Sequence, residues 1–400
     1  MSQSSRAIPV LLAAATTQFA AAVGFWSFGL LAPDLAAETG LEERDFGLSI
    51  TFTFLGAFLA SPFTGAFVRR FGGQGTVARM LAILVGALAL TLTGTWTGAM
   101  LAAFLFGIGY GPQGAVGMTL VTQTAAPRRR GLFLALRHSA VPLAAGIVGR
   151  ALPPLMLVAG WQAGVLSVMG VLGLALVFTL LAGALFRVEA APPGPAQSLV
   201  RRFRTVFQIP PGLRFLWSIG MVFALTQTAV TMFSYLYLLE VAELSAVAAG
   251  VFVSNLHLTA LIGRPVLGWL TDRTGDADRV LAMISVVTVL AIAALLQVGP
   301  ETPLWMLMPL AVACGISGQC WNSVFVTAMS FRVGSGDLAE LNGRAFAFLS
   351  LGWMASPPII WGLIELTGSY GVPLTGLAVL NAAAALLLFA RPRAVGAGSV

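Results

Sequence analysis

The sequence contains no lysine; all 22 basic residues among its 400 are arginines. Charge of either sign is scarce at 9% of residues, and cysteine and histidine occur only twice each. Cys314 and Cys320 lie six apart in one apolar segment, off each other's helical face, so neither a disulfide nor a metal pair follows from them. There is no Ser/His/Asp array, metal cluster or phosphate loop, which argues against an enzyme and implies no cofactor. A net charge of +7 would suggest a nucleic-acid partner in a soluble protein. Here the arginines sit in short joints between apolar runs, so membrane topology explains them better and no nucleic acid is expected. What the chain has in excess is apolar residues, 58% of the total, too many for a soluble domain.

A spanning helix needs about 20 mainly apolar residues, because backbone N–H and C=O groups cannot be left unpaired in hydrocarbon. Twelve stretches qualify, at 8–31, 46–68, 77–96, 98–121, 132–154, 161–186, 213–238, 246–270, 279–299, 303–328, 343–365 and 371–390. The first exceeds a secretory h-region and reads as a span, not a cleaved signal. The one long joint, at 187–212, is rich in Pro and Arg and separates two sets of six. The expected organisation is therefore an N-terminal half at 1–186, a linker at 187–212 and a C-terminal half at 213–400. Arginines crowd alternate joints: Arg69, Arg70, Arg79, Arg128, Arg129, Arg130, Arg187, Arg201, Arg202, Arg204, Arg273, Arg279 and Arg332 share the side of both termini. The other side has only Arg44, surrounded by Asp34, Glu38, Glu42, Glu43 and Asp45. By the positive-inside rule both termini and the linker are cytoplasmic, in a bacterial inner membrane.

An internal repeat supports the division. "SPFTGAFVRRFG" (61–72) aligns with "RPVLGWLTDRTG" (264–275) at an offset of 203, matching Pro62 with Pro265, Gly65 with Gly268, Arg70 with Arg273 and Gly72 with Gly275. A weaker echo relates "GIGYG" (107–111) to "GISGQ" (315–319). Two six-helix halves descended from one unit usually place a binding site near the midplane. "GWLTDRTGDADR" (268–279) resembles the signature of the major facilitator superfamily, carried by Gly268, Asp272, Arg273, Gly275 and Arg279. The resemblance covers nearly the whole chain. It implies an all-α membrane protein of twelve transmembrane helices in two pseudo-symmetric halves, with this loop and its first copy, at Gly65, Arg69 and Arg70, acting as cytoplasmic gates. The first copy departs from the pattern, with Arg69 at the acidic position, and Ala103 stands where many proton-linked members carry an arginine.

Few ionisable groups remain inside the spans: Arg137, His138, Arg150, His257 and Arg264, with no acid at mid-depth. An arginine at a helix centre costs roughly 2.5–3.5 kcal/mol on insertion scales, so it needs a partner or a water-filled cavity. At about 1.5 Å per residue, Arg137 and Arg264 each fall about 9 Å to the cytoplasmic side of centre. In the superfamily that the chain resembles, the fifth and eighth helices are neighbours. Two guanidinium groups about 8 Å apart, at an effective dielectric near 20, repel by about 2 kcal/mol, and an anion reverses that sign.

The planar guanidinium fork binds carboxylates in a bidentate way. "GRP" in the eighth span is similar to the monocarboxylate and oxalate carriers of the superfamily, although Ala260 occupies the place of their usual aspartate. "RHSAVP" (137–142) resembles a Lys-Gln-x-Gly-Val-Pro stretch of bacterial anion-type members, with Arg137 and His138 at the Lys-Gln positions. His257, seven residues before Arg264, shares its face and could titrate. The competing reading of Arg137 and Arg264 is snorkelling to headgroups, and that of His257 a satisfied interior histidine. Polar groups near mid-depth, Gln18, Tyr110, Gln113, Thr226, Gln227, Gln319 and Asn322, could orient a ligand or glue helices together.

The reading that follows is a secondary transporter of small organic anions, carboxylates first, working as a monomer in the bilayer with proton symport or anion exchange. Its substrate ligands would be Arg264, Arg137, His257, His138, Tyr110, Gln113, Gln227, Gln319 and Asn322. An exporter of neutral or amphipathic compounds is the first alternative. A membrane sensor is the second, though no signalling domain is evident.

Overall fold

The computed structural model describes residues 3–39, 47–126, 130–186, 199–333 and 338–391, and every regular element among them is helical. In chain order these are α1 (Gln3–Thr39), α2 (Gly47–Ala60), α3 (Thr64–Thr91), α4 (Trp96–Thr124), α5 (Arg130–His138), α6 (Ala140–Leu181) and α7 (Leu199–Phe207). There follow α8 (Arg214–Thr228), α9 (Ser234–Glu240), α10 (Ala246–Thr274), α11 (Ala277–Leu295), α12 (Leu304–Gln319), α13 (Trp321–Ser330), α14 (Leu338–Thr367) and α15 (Gly371–Phe389). Arg128, Arg129, Arg187 and the acidic run from Glu42 to Asp45 lie outside the described residues.

Among the described residues, ten helical stretches are long and apolar enough to cross a membrane. Two of them, Leu48–Thr91 and Leu132–Leu181, are 44 and 50 residues long, about twice what one crossing needs. Each is interrupted by a glycine at positive φ, Gly72 (φ 70°) and Gly160 (φ 81°), a conformation that side-chain-bearing residues avoid. Dividing both there makes twelve crossings, the number expected. Solvation is inverted relative to a soluble protein: Leu157 and Val158 are each 89% exposed, while Arg137, Gln113 and Asn381 are fully buried. Only a lipid solvent favours that arrangement.

The chain packs as two compact units, one made of Met1–Pro211 with Gly334–Met354, the other of Gly212–Val333 with Ala355–Val400. In the first, α4 lies against α2 so closely that a Cβ on Gly107 would come within 1.8 Å of the Thr53 carbonyl. In the second, α12 approaches α10 similarly, and a Cβ on Gly315 would stand 2.4 Å from the Leu256 carbonyl. Both contacts demand glycine because the obstacle is backbone.

Helix ends follow local chemistry. Thr95 caps α4 through Gly98 N, Ser245 caps α10 through Ala248 N, and Asp276 caps α11 through Arg279 N. Gly275, left-handed at φ 65°, ends α10. The linker predicted at 187–212 contains α7, whose Phe203 packs on Phe58 and Phe63 at ring separations of 5.8 and 5.9 Å.

Candidate functional site

Arg137 occupies the last turn of α5, where a cation is favoured by the helix dipole. The helix stops there because Pro142 has no N–H to give the carbonyl of His138, and α6 begins after Ser139. The guanidinium is 0% exposed. Its Nη2 donates to Gln18 Oε1 on α1 at 2.7 Å and to the Gly114 carbonyl on α4 at 3.0 Å. Gln18 in turn donates from Nε2 to the Tyr110 hydroxyl at 3.3 Å, and Tyr110 stacks on Phe25 with ring centroids 5.5 Å apart. Gln113, also on α4, is 0% exposed and neither of its amide atoms has a hydrogen-bond partner among the described residues. Arg137, Gln18 and Tyr110 thus form one hydrogen-bonded chain; His138, next to Arg137 in sequence, is half-buried.

The second unit holds Arg264, 2% exposed, on α10. Its Nε donates to the backbone carbonyl of Gln319 at 2.6 Å and its Nη2 to Gln319 Oε1 at 3.0 Å. That carbonyl belongs to the last residue of α12, where the helical run is interrupted at Cys320. Gly263 lets α10 pass Cys320, since a Cβ there would lie 2.8 Å from its sulfur. Asn322 Nδ2 donates to Gln227 Oε1 at 3.4 Å, a second polar pair in this unit. His257 is 7% exposed on α10, two turns before Arg264. Of the residues expected to contact a ligand, the structure therefore joins Arg264 with Gln319 and Gln227 with Asn322.

The candidate gate loops differ from each other in detail. Around the first, Arg70 and Arg79 both lie over the Phe71 ring, 5.4 and 4.0 Å from its centroid, and Arg69 is exposed beside Gly65. In the second, Arg273 covers the Trp269 ring at 5.2 Å, and Arg279 pairs with Asp276 at 3.3 Å. Asp272 is half-buried and Gly268 buried.

A partly buried ion pair of this region uses a different acid. Asp278, 8% exposed, accepts from Arg332 Nη2 at 2.5 Å, while Arg332 Nη1 donates to the Ala328 carbonyl. Sequence reasoning passed over Asp278 because the motif drew attention to the acid four residues into it. It also missed Gly114 and Gly117, although Tyr110, Gln113, Gly114 and Gly117 follow the i, i+3, i+4, i+7 spacing of one helical face.

The chain is similar to known proteins over most of its length. The family profile of the Major Facilitator Superfamily matches residues 14–357. A probable nitrate/nitrite transporter, NarK2 of Mycobacterium tuberculosis, is 28% identical over 359 residues, covering 85% of each chain. An uncharacterized MFS-type transporter of the same species, Rv2994, is 27% identical over 283 residues, covering 69% of this chain and 60% of the relative. Among solved structures, the E. coli fucose:proton symporter FucP superposes with a TM-score of 0.70 at 16% identity, over 96% of this chain and 99% of that one. The human organic anion transporter MFSD10 gives 0.71 at 17%, over 97% and 100%. At those identities the two structures speak for the fold alone.

Proposed function

Because the chain belongs to the Major Facilitator Superfamily and is a secondary transporter rather than an enzyme, we propose that its cargo is a small oxyanion, with nitrate and nitrite ahead of carboxylates. The observation that carries this reading is the burial of Arg264 together with the chemistry of its holder. At 2% exposure its charge is out of water, and both bonds it gives to Gln319 end on neutral oxygens. A guanidinium held out of water on such oxygens is chemically suited to an anionic ligand, whose charge offsets the cost of burying it. The guanidinium fork fits carboxylate and nitrate alike. The printed name of the 28% identical relative sets the order of trial.

In this reading Arg264 is the main anion ligand and Arg137 the second, with Gln319, Gln113, Tyr110, Gln227, Asn322, His138 and His257 supplying polar contacts. The loops at 65–72 and 268–279 form the inner gate. Both termini face the cytoplasm of a bacterial inner membrane, the halves divide at the linker, and the working unit is a monomer.

The test is uptake into proteoliposomes together with a thermal-shift screen over nitrate, nitrite, cyanate, formate, acetate, dicarboxylates and neutral controls. Nitrate or nitrite is expected to raise the unfolding temperature, and Arg264→Gln to lower uptake roughly 10- to 150-fold, the worth of a hydrogen bond to a charged group at about 1.5–3 kcal/mol. Uptake preloaded with nitrite, compared with uptake driven by a pH step, separates exchange from proton symport. Undiminished transport of a neutral compound by Arg264→Gln would instead identify an exporter of neutral molecules.

A further inference from the structure

We propose that Gln113 and Arg137 together form an oxyanion subsite contained within the first unit, in which Gly117 sets the position of the guanidinium and the Gln18–Tyr110 pair its orientation. The proposal rests on the anion reading above and adds to it a defined set of donors.

A guanidinium carries five N–H donors. Nη2 uses both of its own on Gln18 Oε1 and the Gly114 carbonyl. Nε and Nη1 are buried with no hydrogen-bond partner among the described residues. Three N–H donors of a full positive charge are therefore left, inside a fully buried side chain. Both acceptors on Nη2 are neutral, so they fix the group's orientation and leave its charge uncancelled. Arg137, which can only donate, sets the Gln18 amide with Oε1 toward it, and Tyr110 accepts from the Nε2 end and holds that amide in place.

Gln113 belongs to the same place by helix geometry. Residues at i, i+3, i+4 and i+7 share one face. Of the four on this face of α4, Tyr110 holds Gln18, Gly114 accepts from Arg137, and Gly117 lies under the guanidinium, where a Cβ would be 2.4 Å from Nη2 and 2.8 Å from Nε. Gln113 is the remaining member of that stripe, one turn before Gly117. Its buried amide adds two N–H donors and has no partner among the described residues. Unsatisfied donors on a cation and on a neighbouring amide suit a small anion rich in acceptors, such as nitrate, nitrite or formate. Such a ligand supplies both the missing hydrogen bonds and the missing charge. A neutral ligand supplies only the first.

Purified full-length protein in proteoliposomes gives the test, read as KM and Vmax for nitrate and nitrite. Gln113→Leu is expected to raise KM at least tenfold with Vmax within about twofold. Gly117→Ala removes no donor, yet its methyl meets the far end of the Arg137 side chain and must displace it, so KM should rise comparably. Gln113→Glu places a carboxylate beside the guanidinium; it should abolish nitrate uptake and the nitrate-induced thermal shift while raising the ligand-free unfolding temperature. A merely structural Gln113 predicts the opposite sign for that last quantity, so a poorly folded Gln113→Glu protein counts against the subsite. Wild-type KM in both Gln113→Leu and Gly117→Ala, with Arg264→Gln inactive, overturns the subsite and leaves the anion reading standing. A wild-type protein that neither binds nor transports any of the anions overturns both.

Discussion

The repeat allows one seam to be compared in the two units. At the offset of 203, Ser61 corresponds to Arg264, and in the echo of α4 with α12, Gly111 corresponds to Gln319. The structure brings each matched pair together in its own unit. A Cβ on Gly111 would lie 2.7 Å from Ser61 Oγ, and Arg264 binds Gln319 through two hydrogen bonds. One scaffold position is thus filled by two of the smallest side chains in one copy and by a guanidinium clasped by an amide in the other. The first unit has its buried arginine elsewhere, on α5, held through Gln18 and Gly114. The close helix contact recurs in both copies, while what sits in it differs.

The largest effect expected comes from erasing that difference. Arg264→Ser copies the first unit's residue into the second and should reduce anion uptake roughly 10- to 150-fold, as expected for hydrogen bonds to a charged group; uptake at the wild-type rate would mean the guanidinium has no part in transport. Next is the ion pair that only the second unit carries among the described residues. Asp278 corresponds to Gly75 at the same offset, and Asp278→Asn strands the Arg332 charge. A stability loss of about 1–3 kcal/mol is expected, since the Arg332 side chain is partly exposed, read by denaturation in detergent.

The shared helix contact comes third. Gly107→Ala and Gly315→Ala both press a methyl onto a backbone carbonyl, at 1.8 and 2.4 Å, and should each cost about 1–3 kcal/mol. The drop in unfolding temperature should be larger at Gly107, and equal drops would show that the two seams are not ranked by closeness.

The smallest effect lies at a second matched pair of contacts. Trp161 Nε1 donates to Glu38 Oε1 at 2.9 Å in the first unit, and the Tyr370 hydroxyl to Glu240 Oε2 at 2.7 Å in the second. Replacing either aromatic residue with Phe should cost about 1 kcal/mol. Only the tyrosine titrates. Burial first, and then the Glu240 carboxylate, hold its pKa above the ordinary tyrosine value. The folded state therefore keeps a proton that the unfolded chain releases near pH 10. Its stabilising contribution is complete below that pH and is lost above it. Unfolding temperature measured from pH 8 to 11 should fall more steeply for wild type than for Tyr370→Phe, whereas Trp161→Phe should track wild type.

The apolar length of the spans was legible in the sequence because hydrocarbon thickness sets it directly. The breaks inside them were harder to see. The π-helical turn at Ala229–Phe233 and the interruption at Cys320 leave hydropathy unchanged, and so does the break between α5 and α6, which the expected span at 132–154 ran through. That Arg137 and Arg264 were exceptional followed from their charge in apolar surroundings. Their partners did not follow, because which glutamine an arginine meets depends on the rotation of each helix about its axis, and several polar residues competed. Gly117 escaped notice for a related reason: a glycine's importance lies in the neighbour that needs the space.

Arg264 is tied to position 319 in two chemically separate ways, through a side-chain oxygen and through the main chain. Any residue at 319 supplies the second tie. In the proposed anion site, a change of side chain there would alter the selectivity offered to cargo while the arginine keeps its mooring. Such a position is open to adaptive drift in a way that the arginine itself is not.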